Sequence, residues 1–368
     1  MTANSVPRLS PSQRRAIRRA VSDWYAQHAR RLPWREDPTP YRVWVCEIMA
    51  QQTRIETVLP YFERFLARFP GVHDLAAATE DEVLALWSGL GYYRRARHLH
   101  RAARVVVDEY GGAIPADPHE LQRLPGIGRY TAGAIASIAF DRAAPILDGN
   151  VARLLARVFA ISKVLSTGEA RKELWVLADE LVPEEHPGAF NQGMMELGAL
   201  VCTATSPGCP ACPLRPHCLA QAQGLVEVIP VKGKAAAPLP VYFAAAALRR
   251  EGRVLLVRNP GDGLFGGLWM LPQVEVRKSW PAHRQREQLR THLRDRFAID
   301  MIAGDLLGRI EHTLSHRLLY TRFYACEIPF KGVLPISNGA RWVQPSAPNR
   351  HLGLAAYTRK FLRFLVEE

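Results

Sequence analysis

Along residues 10–223 apolar side chains return at intervals of three and four, as in Ala16, Ala20, Val21, Trp24 and Tyr25. That spacing is the mark of amphipathic helices, and the period-two alternation of strands is scarce in the same stretch. The texture changes at 224–240, GLVEVIPVKGKAAAPLP, where Pro, Ala and Lys displace any periodicity and a linker is expected. Beyond it, runs rich in β-branched and aromatic residues at 241–248, 253–258, 268–276, 317–328 and 341–343 predict strands. Helices are predicted at 281–297 and 354–366. The pattern therefore gives a mainly α region, residues 1–223, joined by the linker 224–240 to an α+β domain at 241–368. No internal repeat is present.

Within the helical half, one stretch concentrates chemistry: LPGIGRYTAGAIASIAF, then DRAAPIL, then DGNVARLLAR, at 124–157. A helix predicted at 118–123 must stop at Pro125 and Gly126, and Gly128 opens the next helix. Backbone N–H groups at such a turn face outward at a helix N-terminus, where an anion is favoured. A phosphate cradle and an ordinary helical hairpin both fit these residues. Asp148 follows the apolar run Ala144, Pro145, Ile146, Leu147 and precedes a helix, so it is placed to N-cap that helix, and capping would also hold it ionised. A second carboxylate, Glu47, lies in the apolar run YRVWVCEIMAQQT with no basic residue three or four positions away. Desolvation without a cation raises a carboxyl pKa, which makes Glu47 a candidate neutral acid; a Glu on the one wet strip of a buried helix is the alternative.

Composition adds two points. The formal net charge is +13, carried mainly by arginine, which suggests a polyanionic partner. Of six cysteines, four fall at Cys202, Cys209, Cys212 and Cys218, spacing that suits a metal centre rather than a disulfide framework. Zinc accepts four sulfurs as readily as iron does, although this spacing is not that of paired CxxC knuckles. No apolar run approaches the roughly 20 residues that span a bilayer, and the first residues lack the apolar core of a secretory signal. A soluble cytoplasmic protein, associated with the nucleoid, is expected.

The motifs RLPWR, CEIMAQQT, WSGLGYYRRARHLH, LPGIGRYTAGAI, ILDGNV and FNQGMMELGALVC, in that order between about Arg31 and Ala220, resemble the adenine DNA glycosylases of the MutY family. That resemblance implies a helix-hairpin-helix glycosylase fold: a six-helix domain at about 30–140 with its hairpin at 124–128, and an iron–sulfur domain built from the N-terminal helix and about 141–223. It implies that Glu47 protonates N7 of adenine while ionised Asp148 supports the sugar cation, with Tyr130 and Asn150 assisting. Arg30, Leu32, Trp34 and Gln192 would line the adenine pocket, Gln52 and Tyr92 would enter the duplex, and Gly126 and Gly128 would hold a phosphate. The four cysteines match the family's [4Fe-4S] loop.

The residue two beyond Gly128 is Tyr130, where lyases such as endonuclease III carry a Schiff-base lysine. Lys163 and Lys172, the nearest downstream amines, have no activating surroundings in the sequence. A monofunctional enzyme acting as a monomer on double-stranded DNA is implied, its substrate adenine opposite 8-oxoguanine or guanine. An endonuclease III-like glycosylase and lyase is the alternative enzyme, and an iron–sulfur DNA-binding protein the alternative without catalysis.

The C-terminal domain resembles the family's Nudix-like domain, with GLWMLPQ at 267–273 the clearest match. Its helix RQREQLRTHLRDRF has Glu287 and Asp295 as its acidic residues, too few for a hydrolytic metal site, so recognition without hydrolysis is expected. Ser315 and His316, in HTLSH, fall where the family reads 8-oxoguanine, with Leu314 in place of an aromatic. Two further departures are Ala50 for a usual leucine and Cys46 for a usual serine.

Overall fold

The computed structural model describes residues 9–231, 233, 237–261, 263–329, 339–347 and 352–367. Residues 1–8, and 232 and 234–236 of the expected linker, lie outside the described residues. The helical half runs α1 (Pro11–His28), α2 (Pro33–Glu36), α3 (Pro40–Ala50), α4 (Ile55–Arg68), α5 (Val72–Ala77), α6 (Glu80–Trp87), α7 (Arg94–Tyr110), α8 (Pro118–Arg123), α9 (Arg129–Phe140), α10 (Gly149–Val158), α11 (Gly168–Leu181), α12 (Pro187–Leu200) and α13 (Leu219–Ala222). The C-terminal half adds strands β1 (Leu239–Arg250), β2 (Arg253–Arg258), β3 (Trp269–Met270) and β4 (Gln273–Val276), then helix α14 (Ala282–Phe297). Strands β5 (Ile302–Thr313), β6 (Arg317–Glu327) and β7 (Ala340–Val343) and helix α15 (Ala356–Glu367) complete it.

The chain divides into two compact units, Met1–Ala76 with Arg101–Lys234, and Ala77–His100 with Ala235–Glu368. In the first, helix starts are written in capping residues: Ser10 forms a capping box with Gln13, and Asp148 accepts from the backbone of Val151. A core of Val21, Ile146, Leu154, Leu174, Phe190 and Leu197 draws α1, α10, α11 and α12 together. Close approach of α12 to α10 depends on Gly198, where a Cβ would come within 2.7 Å of the Asn150 Cβ.

In the second unit the sheet order is β3-β2-β1-β6-β5, with β4 also paired to β1 and β7 to β2. β1 and β6 run parallel over a register from Leu239 opposite Arg317 to Leu248 opposite Cys326, and the remaining pairs are antiparallel. α14 buries Leu289 and Leu293 in a core with Ala244, Leu248 and Met301, while Phe361 of α15 stacks on Phe323 with ring centres 4.0 Å apart. Two points correct the sequence reading. The expected strand 268–276 is two strands, interrupted at Leu271 and Pro272, because Pro supplies no ladder N–H. β5 was not legible, since bulges between Ala303 and Gly308 break its alternation and it lies at the end of the strand order, largely unburied.

Candidate active site

Glu47 sits on α3, whose residues from Val43 to Met49 are all buried, so the helix has no wet strip at this level. The carboxyl is 8% exposed and accepts a hydrogen bond of 2.6 Å from the Tyr130 hydroxyl. Burial pushes its pKa up to about 7; the Tyr130 bond and the charge of Arg35 pull the other way, and the charge of Asp148 adds to the rise. Tyr130 stands in the first turn of α9, immediately after the hairpin, and its hydroxyl also lies 3.3 Å from the Met195 sulfur. Burial and the two nearby carboxylates raise the pKa of that phenol, so it stays a donor. Gln51 fastens the end of α3 to α9 through a bond of 3.2 Å to the Thr131 hydroxyl.

Asp148 is the N-cap of α10. One oxygen accepts from the Val151 N–H at 2.7 Å and the other from the Asn150 amide at 3.0 Å. The cap does not by itself set its pKa. Burial raises it, and the bonds from Val151 and Asn150 and the charge of Arg153 offset only part of the rise. Asn150 is itself held, its Oδ1 accepting from Arg153 at 2.9 Å. Arg153 goes on to donate to the carbonyls of Cys202 and Gly198, which ties the Asp148 turn to the end of α12.

The hairpin is as the glycines require. Gly126 has φ +81°, which an L side chain resists, and Gly128 caps α9 with its carbonyl accepting from Ala132. Gln52 follows α3 with φ +56°, and Tyr92 in the second unit has φ +47°. The same left-handed backbone is found at Asp141, Ala160, His186, Ser206, Glu251, Phe265 and Ala298, so it does not by itself mark a site of use. Tyr92 is 44% exposed, its ring 5.2 Å from the Arg95 guanidinium, and its hydroxyl is 2.6 Å from Ser315 Oγ within that unit. Ser315 and His316 form the tight turn between β5 and β6, closed by Leu314 N–H to the Arg317 carbonyl. Both are exposed.

Leu32 and Trp34 are buried, the indole edge-on to Phe62 at 5.0 Å. Arg30 is committed to Glu196, with Nε 2.6 Å from one carboxylate oxygen and a terminal nitrogen 2.9 Å from the other. The sequence reading missed Glu196 and its other partner Arg35 as site residues. The signal was there: Glu196 is a lone acid in the apolar run GMMELGAL, the same pattern that singled out Glu47.

The four cysteines line one cavity together with Leu154, Arg157, Val158 and Leu214. Burial raises the pKa of Cys212 to about 11, and the charges of Cys202, Cys218 and Cys209 add to the rise. Arg157 is fully buried, donates to the Cys202 sulfur at 3.3 Å, and otherwise donates to the carbonyls of Thr203, Val226 and Ile229. Among the described residues no three ligating side chains gather at one ion-sized point. A shared cavity flanked by thiols and a buried cation suits a multi-atom anionic group. No helix is long and apolar enough to cross a membrane among the described residues.

Comparison with known proteins places these features. Residues 45–180 match the HhH-GPD superfamily of base excision DNA repair proteins, and residues 244–364 match the NUDIX domain. The chain is 37% identical to the adenine DNA glycosylase of Rattus norvegicus, over 89% of this chain and 74% of the relative. It is 33% identical to that of Buchnera aphidicola subsp. Acyrthosiphon pisum, over 93% of this chain and 95% of the relative. Among solved structures, a thermostable thymine-DNA glycosylase superposes with a TM-score of 0.53 at 28% identity, over 57% of this chain and 97% of that one.

Proposed function

Since this chain belongs to the adenine DNA glycosylase family and is a base-excision repair glycosylase, we propose that its substrate is adenine mispaired with 8-oxoguanine or guanine in double-stranded DNA. The observation that carries this reading is the pairing of Glu47, held near a pKa of about 7 and oriented by Tyr130, with capped Asp148 close by. Two carboxylates in unequal surroundings are the arrangement by which glycosidic bonds are cleaved.

The base must first leave the stack, and by the family resemblance Gln52 and exposed Tyr92 are the side chains proposed to enter the duplex behind it. Glu47 gives its proton to N7 of adenine. The electron pair of the C1′–N9 bond then retreats into the purine, which departs neutral. Asp148 stabilises the sugar cation until water adds to C1′, and the water's proton restores the Glu47 acid. Tyr130 supplies no amine for a Schiff base, so strand cleavage does not accompany excision. Ser315 and His316, at an exposed turn beside Tyr92, are the proposed readers of 8-oxoguanine, and the residues at 241–368 the recognising domain. The protein acts as a cytoplasmic, nucleoid-associated monomer.

Cys202, Cys209, Cys212 and Cys218 would hold a [4Fe-4S] cluster, whose proposed task is to fix the loop carrying Arg215 and His217 against phosphates. The buried Arg157 would balance part of its negative charge. Purified protein should be brown and contain iron and inorganic sulfide in equal amounts; a colourless protein carrying zinc would overturn this.

Single-turnover excision on duplexes carrying adenine opposite 8-oxoguanine or guanine, scored before and after alkali, tests the whole reading. Adenine loss with nicks only after alkali is expected. Nicks without alkali would instead favour a lyase, and no adenine loss would leave a binding protein.

A further inference from the structure

One sulfur beside the active site is not used by the two-carboxylate mechanism. Met49, Met194, Met270 and Met301 are at most 2% exposed, whereas Met195 of α12 is partly exposed. Cys46 and Cys326, the cysteines away from the shared cavity, are buried as well, and burial pushes both thiols up, to about 12 at Cys326. A thiol held protonated is a poor target for oxidants, because the thiolate is the form that reacts. A thioether needs no deprotonation. Outside the four-cysteine cavity, Met195 is therefore the one sulfur among the described residues that combines access to solvent with reactivity at neutral pH.

The position of Met195 gives that reactivity a consequence. Its sulfur lies 3.3 Å from the Tyr130 hydroxyl, which donates at 2.6 Å to Oε2 of Glu47. A phenol has one proton and a thioether is a weak acceptor, so the proton goes to Glu47. Oxidation to the sulfoxide turns this apolar neighbour into a polar one with an oxygen that accepts strongly. At 3.3 Å there is no space for that oxygen on the line between sulfur and hydroxyl, so the phenol either gives up its place or turns its proton to the new acceptor. Both outcomes break the bond to Glu47. We propose that Met195 is an oxidation site through which peroxides reversibly slow base excision. The step balances: the peroxide O–O bond breaks, one oxygen bonds to the sulfur, the sulfur gives up two electrons, and the other oxygen leaves as water. A methionine sulfoxide reductase drawing two electrons and two protons from a dithiol returns the thioether and releases the added oxygen as water.

This inference rests on the proposed adenine activity, and the experiment separates the two. The purified protein is exposed to hydrogen peroxide, its peptides are mapped by mass spectrometry, and single-turnover adenine excision is compared with the untreated rate of the same protein. Met195 should gain one oxygen before the buried methionines do, and excision should fall roughly tenfold in step with that gain, the worth of a lost hydrogen bond. Methionine sulfoxide reductase should restore the rate. Met195→Leu keeps an apolar side chain of similar size without the sulfur, so under the same exposure it should hold its own untreated rate. Its cysteines are unchanged, and damage at their cavity would slow both proteins alike. The pH profile distinguishes a lost Tyr130 bond from a general loosening: that bond lowers the pKa of Glu47, so in the oxidised protein the alkaline fall in rate should move to higher pH. Parallel losses in wild type and Met195→Leu, a Met195 that resists while buried methionines react, or a sulfoxide that leaves rate and pH profile unmoved each overturn the inference alone. If Met195→Leu does not fold, the reductase carries the test, and a rate it fails to restore overturns the inference. A wild type that releases no adenine before treatment overturns the parent reading and this inference with it.

Discussion

Glu47→Gln should slow adenine excision by roughly a hundred- to ten-thousandfold, the range of a lost general acid, while duplex affinity is unchanged. Gln keeps the size of the side chain and can still accept from the Tyr130 hydroxyl, so α3 and α9 should remain packed. What it lacks is a proton to give. The pH profile identifies the group. Glu47 has its pKa raised to about 7, and the protonated form is the active one, so the wild-type rate is fullest below that pH and falls as pH rises through it. The Gln variant should have a low rate with no such fall. An alkaline decline that survives in Glu47→Gln would place the acid elsewhere.

Asp148→Asn is expected to lose a comparable amount, roughly a hundred- to a thousandfold, for an electrostatic reason. Asn caps helices about as well as Asp, so α10 should keep its start and the variant should melt close to wild type. The loss would then report the charge rather than the fold. Asp148→Ala tests the partition: it should lose the same activity and, with the cap, about 1 kcal/mol of stability as well. Retained turnover in Asp148→Asn would show that the sugar cation is stabilised by another group.

Much of this was legible in the sequence because local rules wrote it. Pro125, Gly126 and Gly128 force a turn, and Asp148 before a helix is a cap, whatever packs around them. The α+β character of the C-terminal half followed from alternation, yet β5 escaped because its bulges hide the period from any window of sequence. The direction in which the Asp148 pKa moves was not legible for a related reason: the cap is local, but the burial that outweighs its effect comes from distant segments.

Glu47 and Glu196 show where sequence stops. Each is a lone acid in an apolar helical run, and nothing within four residues of either tells them apart. By itself the sequence determined that both would lie on buried helices and that desolvation would act on both. Only the tertiary structure decided the outcome, by leaving burial dominant at Glu47, where the Tyr130 bond offsets only part of it, and by bringing two guanidiniums onto Glu196. A buried carboxylate takes its charge from the partners that reach it through space, so one became an acid near pKa 7 and the other a permanent anion.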